Sequence, residues 1–165
     1  MATDLALHFR DMPALTSLAE KVNRNEDLFD EIVMNCTENK KLLQAGLMTA
    51  ADLGAATKSW EVHEHVSQLI AEEFWTQGDI ERSEFSIDPQ PMFDRSVPLE
   101  TVQIEYLDNT CMPLYKNMSG ISVELEPLLE GCKANRCKWA KLQSSASNNV
   151  PESPKMQHND QARKL

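Results

Sequence analysis

Hydrophobic side chains recur with helical spacing along most of the chain. The clearest run comprises Val62, Val66, Leu69, Ile70 and Phe74, which are spaced i, i+4, i+7, i+8 and i+12. This spacing is typical of one face of an amphipathic helix, and it places these five side chains in the core. Strand-like alternation is scarce, and the chain contains only five glycines. The pattern therefore predicts an all-α protein, a helical bundle or an orthogonal array of helices.

Helix boundaries follow from proline, glycine and capping residues. Pro13, Ser59 and Pro98 are suited to the starts of helices, whereas Gly54 and Gly78 are suited to follow their last residues. Proline inside the fifth helix, at Pro113, predicts a kink. The stretch from Gly78 to Val97 should be mostly loop with a short helix. We predict helices over residues 2–9, 13–23, 40–53, 59–78, 98–119 and 123–142.

The last part of the chain has a different composition. Residues 143–165 are rich in Ser, Asn, Gln and Pro and contain few apolar side chains. Such a composition does not provide enough apolar surface to form a packed core. We therefore predict one helical domain over residues 1–142, followed by a disordered polar tail over 143–165.

Charge and composition disfavour several classes of function. The net charge of −10 argues against nucleic-acid binding and against binding to an anionic membrane surface. No run of 18 apolar residues is present, and the first residues lack the basic region of a secretory signal. The four cysteines fit no zinc-binding spacing, and reduced thiols are the default without a secretory signal. We therefore expect a cytoplasmic protein with neither nucleic acid nor membrane as a partner.

Asp52 is a carboxylate in an apolar stretch near the carboxyl end of a predicted helix. The helix dipole disfavours a negative charge there, and burial would add a desolvation cost. Asp52 is then either a partly exposed residue bonded to a nearby hydroxyl, such as that of Thr57, or a metal ligand. Its position in the sequence leaves both alternatives open.

Gln103 heads an otherwise apolar stripe on the fifth predicted helix, with Tyr106 one turn further on. The glutamine amide offers a donor and an acceptor side by side, which can match the edge of a purine. An aromatic ring one turn away can stack on the same base. The alternative is an ordinary polar residue at a helix end.

Several segments resemble class I cyclic nucleotide phosphodiesterases. Leu47–Lys58 resembles their T-A-x-D-L-[SG]-A-x-T-K segment, and Ile70–Arg82 resembles their E-F-[FW]-x-Q-G-D-x-E-R signature. Further matches, in the same order as in the family, are Ala2–Leu7, Val102–Asp108 and Asn135–Trp139. The likeness is strongest to the GAF-containing branches that are specific for cyclic GMP or act on both cyclic nucleotides.

The resemblance implies an all-helical HD-type domain and a signalling activity. Members of this family hydrolyse the 3′ bond of cyclic AMP or cyclic GMP, which would make the cyclic nucleotide the partner of this chain. The family uses two divalent metals, zinc together with magnesium or manganese. The resemblance also suggests that a longer protein containing this chain forms a homodimer.

The resemblance also assigns roles to particular residues. Asp52 matches the carboxylate that completes the zinc site, and Gln103 matches the glutamine that binds the purine. Tyr106 occupies the position of the aromatic clamp, where phenylalanine or tryptophan is usual. Nine further residues match positions that line the pocket: Leu5, Ala55, His63, Val66, Ser67, Ile70, Phe74, Met92 and Val102.

The resemblance covers about the carboxyl-terminal half of the family's catalytic domain. The family's H-N-x-x-H and H-D-x-x-H segments, which carry the general-acid histidine and the other metal ligands, have no match in the chain. We therefore assign it no catalytic residue and expect the chain alone to be inactive. Either it acts as part of a longer phosphodiesterase, or it is a short non-catalytic isoform that serves as an interaction or regulatory module. Without the other half, we expect Leu43, Leu47, Val66 and Ile70 to be exposed.

Overall fold

The protein is built from six α-helices in the parts that the structure, a computed structural model, describes, which are residues 5–25 and 28–148. The helices are α1 Leu5–Arg24, α2 Thr37–Asp52, α3 Trp60–Glu84, α4 Leu99–Tyr106, α5 Met112–Ile121 and α6 Glu126–Asn148. Short 3-10 or π-helical turns occupy Asp30–Met34, Gly54–Thr57, Pro91–Phe93, Leu107–Cys111 and Val123–Leu125. Within those two ranges no residue is in a strand, which confirms the all-α prediction. None of these helices is both long and apolar enough to cross a bilayer.

The first two predicted helices are in fact one. Helix α1 continues through Pro13, although an interior proline removes a hydrogen bond and normally breaks or kinks a helix. His8 is buried before the proline, and Leu15 and Leu18 are buried after it. Packing on both sides therefore holds α1 continuous. Residues 2–4 of the first predicted helix lie outside the described ranges.

Helix α3 does not end at Gly78 as predicted, because this glycine has a packing role. A Cβ atom at Gly78 would lie 2.0 Å from the backbone oxygen of Phe93. The glycine therefore lets the Pro91–Phe93 turn approach the helix backbone closely. Helix α3 continues to Glu84 and is followed by the predicted loop with its short helical turn.

The predicted core face of α3 is wrong. Val62, Leu69 and Ile70 are 49%, 58% and 45% exposed, and Val66 and Phe74 are only half-buried. The buried residues of α3 are small or polar: His63, Ser67, Ala71 and Gly78. Among the four residues expected to be exposed, Leu47 and Ile70 are exposed, whereas Leu43 and Val66 are half-buried.

A π-helical turn comes just before Pro113, where the sequence predicts a kink. Helix α4, the turn Leu107–Cys111 and α5 follow one another without a break. Pro113 is the second residue of α5, where the lack of a backbone N–H costs little. The Met112 backbone N–H donates to the Leu107 carbonyl in the wider π-helical pattern, just before the proline.

The core lies between α1, α5 and α6. Its largest fully buried side chains include Leu107, Leu114, Tyr115 and Met118. The Tyr115 hydroxyl donates a 2.9 Å hydrogen bond to the Ala50 carbonyl and so ties α5 to α2. This core supports one side of the cavity described below.

The last helix is longer than the sequence indicated. Helix α6 extends to Asn148, so the predicted boundary at residue 142 does not coincide with its end. Gln143 donates a 3.0 Å hydrogen bond to the Thr101 hydroxyl of α4, which extends packing beyond that boundary. The remainder of the predicted tail, residues 149–165, lies outside the described ranges.

Candidate functional site

A cavity of about 510 Å³ opens between the start of α1, the end of α2, α3 and α4. Its walls are mostly apolar, and its size suits a small organic molecule. All twelve residues singled out from the sequence line it: Leu5, Asp52, Ala55, His63, Val66, Ser67, Ile70, Phe74, Met92, Val102, Gln103 and Tyr106. The fold thus brings together residues that are up to 101 positions apart in the chain.

Gln103 is the main buried polar group of α4 in this cavity. It is 9% exposed, and its Oε1 accepts a 3.1 Å hydrogen bond from the Ser67 hydroxyl of α3. Ser67 is itself buried, so the hydrogen bond links two helices at the cavity wall. This bond keeps the amide at the cavity wall, and the hydroxyl can support either orientation of the amide because it can donate or accept.

Tyr106 lies one turn after Gln103 and is half-buried. Burial raises the pKa of its hydroxyl, and the neighbouring Cys111 raises that pKa further. The side chain therefore stays a neutral phenol, and it lines the cavity. Cys111 is fully buried, and all four cysteines are free thiols.

His63 is 1% exposed, and Trp139 of α6 fixes its protonation state. The Trp139 indole N–H donates a 2.8 Å hydrogen bond to Nε2, which must therefore be unprotonated. Burial lowers the pKa of His63, although the Ala55 backbone raises it in part. The ring is then neutral with its proton on Nδ1, which has no partner at full hydrogen-bond geometry within residues 5–25 and 28–148.

The turn Gly54–Thr57 forms another part of the wall and is held from α6. The Asn135 amide donates hydrogen bonds of 3.0 Å to the Ala56 carbonyl and 2.9 Å to the Lys58 carbonyl. A Cβ atom at Gly131 would lie 2.3 Å from the Thr57 carbonyl oxygen, so α6 approaches the turn closely. The resemblance marked Asn135–Trp139 as a matching segment but gave it no role in the cavity.

Aromatic stacking holds the segment that carries Met92 against α3. The Phe93 ring lies 4.8 Å from the Phe74 ring between centroids. Arg95 sits 5.3 Å from the centre of the Trp75 ring, a cation–π contact at the edge of the cavity. Trp75 also lines the cavity and was missed from the sequence, because tryptophan spacing does not separate core from site.

Ion pairs also hold the segment that carries Met92 against α3. Arg95 bonds to Glu72 at 2.9 Å and to Asp79 at 3.1 Å. Arg82 bonds to Asp94 at 3.0 Å. The Ser96 backbone N–H is the main cause of a lowered pKa at Asp94, and Arg82 lowers it further. Because all of these charged side chains except that of Asp94 are exposed, each pair contributes little on its own.

Asp52 is the last residue of α2 and is exposed at the rim of the cavity. The Thr57 hydroxyl donates to the Gly54 carbonyl at 2.9 Å, so it is not the partner that the sequence suggested for Asp52. The Asp52 carboxylate is therefore accessible to a ligand.

The described residues do not form a metal site. Over residues 5–25 and 28–148, no three or more His, Cys, Asp or Glu side chains are grouped so that they could hold a metal ion. A zinc site needs three or four protein ligands, whereas the cavity offers the single carboxylate of Asp52. These residues therefore do not fit a zinc or magnesium centre without further ligands.

Comparison with known proteins supports one family. The family model for 3′5′-cyclic nucleotide phosphodiesterase matches residues 1–132. Over 147 residues the chain is 37% identical to the cone cGMP-specific 3′,5′-cyclic phosphodiesterase subunit alpha′ of Bos taurus. Over 160 residues it is 34% identical to the dual 3′,5′-cyclic-AMP and -GMP phosphodiesterase 11A of Takifugu rubripes. These alignments cover 86% and 93% of this chain but 17% of each relative.

A solved structure has the same architecture. The structure of LmjPDEB1 in complex with IBMX matches with a TM-score of 0.73 and 26% sequence identity. The match covers 87% of this chain and 41% of that chain. With the family model extending over most of the sequence, the chain belongs to the 3′5′-cyclic nucleotide phosphodiesterase family.

Proposed function

We propose that the cavity binds the purine of a cyclic nucleotide, as part of a phosphodiesterase that hydrolyses cyclic AMP, cyclic GMP or both to 5′-monophosphates. The observation that carries this proposal is the buried Gln103 amide in the wall of an apolar cavity. An adjacent donor and acceptor in such a wall suit the hydrogen-bonding edge of a purine. The names of the two relatives, one cGMP-specific and one dual, agree with this ligand class.

The surroundings of Gln103 favour acceptance of both purines. Guanine and adenine place donor and acceptor in opposite orders along the edge, so each needs the amide in a different orientation. The Ser67 hydroxyl donates to Oε1 of Gln103, but a hydroxyl can equally accept from the amide nitrogen. Ser67 thus supports either orientation, while the Tyr106 ring offers a stacking face to either base.

For the phosphate end we propose a narrower role. Asp52 lies at the rim of the cavity, and we propose it as one ligand of a zinc and magnesium centre in a domain that includes the further ligands. No hydrolytic step is derived from the residues described, because one carboxylate does not make a metal site. The chain on its own is expected to bind without hydrolysing.

Two other properties stay predictions: a cytoplasmic location, from the composition and the cysteines, and a homodimer formed through a longer protein, from the resemblance. No contact within residues 5–25 and 28–148 favours the alternative hypothesis of a non-catalytic interaction or regulatory module.

The proposal is tested by calorimetric titration of the chain with cyclic GMP, cyclic AMP and IBMX. We expect Gln103→Ala to weaken binding of both nucleotides by about tenfold, because one or two hydrogen bonds to the base are lost. Gln68→Ala, at an exposed glutamine of α3, is the matched control and should bind as the wild type does. Undiminished binding by Gln103→Ala, or no binding by the wild type, would refute the proposal.

A further inference from the structure

Helix α6 presents a stripe of three residues to the cavity wall. Gly131, Asn135 and Trp139 are spaced i, i+4 and i+8, so they lie on one face of the helix. Each residue contacts a different part of the wall. Gly131 lies against the Thr57 carbonyl, and Asn135 bonds to the Ala56 carbonyl. Trp139 bonds to the His63 ring. One helix thus supports parts of the wall that come from separate segments.

Asn135 makes the central contact of this stripe. Its side chain is 2% exposed, and its Nδ2 donates to the carbonyls of Ala56 and Lys58, which are two residues apart. These carbonyls lie at the end of the short turn Gly54–Thr57, where the last carbonyls of a helical turn have no N–H partner within that turn. The amide therefore satisfies two carbonyls that the turn itself leaves open.

The held turn connects the elements that line the cavity. It begins two residues after Asp52 and ends three residues before the first residue of α3, and its Ala55 and Ala56 line the cavity directly. A shift of this turn would move its part of the wall relative to Gln103, which lines the same cavity. A side chain that touches no ligand can therefore control the shape of the site.

We propose that Asn135 is a positioning residue for the cavity: its amide fixes the turn Gly54–Thr57, and with it the Ala55–Ala56 wall, relative to Gln103. As far as it concerns ligand affinity, this inference rests on the proposed function. The placement of the wall itself is independent of which ligand binds.

The test compares Asn135→Asp with Asn117→Asp. An aspartate at 135 has nearly the same shape but loses both donors and directs a carboxylate at two carbonyls. Asn117 is a matched control, since it is 7% exposed, donates a 2.9 Å hydrogen bond to the Thr16 hydroxyl and does not line the cavity. Affinity for IBMX is measured by calorimetry, and the amide resonances of Ala55 and Ala56 by NMR.

We expect Asn135→Asp to weaken IBMX binding at least about tenfold and to shift both resonances. Asn117→Asp should lose stability but keep its affinity within about twofold and leave both resonances in place. Should Asn135→Asp not fold, Asn135→Ser, which keeps one donor, takes its place in both measurements. A folded variant with wild-type affinity and unshifted resonances would overturn the inference.

A wild-type chain that binds no IBMX would count against the proposed function. The inference would then be decided by the resonances alone. Shifts at Ala55 and Ala56 that are absent from Asn117→Asp would support it, and unshifted resonances would refute it.

Discussion

Helices α3 and α5 use their apolar residues in opposite ways. Helix α5 buries large apolar side chains, among them Leu114 and Met118, both 0% exposed. Helix α3 buries small and polar side chains, while Leu69 and Ile70 on its apolar stripe are exposed. The difference arises because α5 packs within the core, whereas the buried face of α3 lines a cavity and bonds to Gln103. A hydrophobic stripe thus locates a helix, but not always the face that it buries.

The largest expected effect comes from removing one leucine from each helix. Leu114→Ala should lower the free energy of unfolding by about 2–5 kcal/mol, since it leaves a hole in a close-packed core. Leu69→Ala should change it by less than about 0.5 kcal/mol, because this side chain is 58% exposed. Urea denaturation followed by circular dichroism measures both. Equal losses from the two variants would show that the stripe on α3 is buried after all.

The next effect compares a glycine from each helix. Gly78→Ala should destabilise the protein by about 1–3 kcal/mol, because the new Cβ meets the Phe93 carbonyl oxygen and one backbone must move. Gly120→Ala should stabilise it by about 0.5–1 kcal/mol, since the nearest atom is 3.5 Å away and alanine favours the helix. Thermal unfolding of the two variants measures both changes. A neutral Gly78→Ala would mean that the Pro91–Phe93 turn does not lie against α3.

The smallest expected effects are on the pH dependence of stability, and they have opposite signs in α3 and α5. Burial lowers the pKa of His63 in α3, so the unfolded chain binds a proton more readily below its ordinary pKa of about 6.5. This histidine therefore makes stability fall as pH is lowered through that value. Burial raises the pKa of Tyr115 in α5, so its effect is the reverse and stability falls above about pH 10.

Chemical denaturation at a series of pH values tests this pair. His63→Gln should flatten the acid side of the stability profile, leaving the slope that buried His8 contributes in the same direction. Tyr115→Phe should flatten the alkaline side only, leaving the slope that Tyr106 contributes in the same direction. An acid slope that His63→Gln leaves unchanged would mean that this imidazole is not buried as a neutral ring.

Much of the fold and many of the cavity residues were predictable from the sequence, but from different kinds of signal. Periodicity located most helices, because each buries some stripe against its neighbours. The boundary signals of proline and glycine failed at Pro13 and Gly78, where contacts distant in sequence outweigh the local preference of either residue. The twelve cavity residues came from a resemblance in motif, and spacing alone would not have joined Leu5 to Tyr106.

The amino-acid sequence by itself determined the helical class, the acidic charge and the family, since each is carried by composition or by motifs read in order. The tertiary structure alone decided which face of α3 is buried and how Asn135 and Trp139 support the cavity. Those contacts join α6 to residues that lie between 76 and 79 positions earlier in the chain. Their geometry depends on how whole helices pack, which no local pattern of side chains encodes.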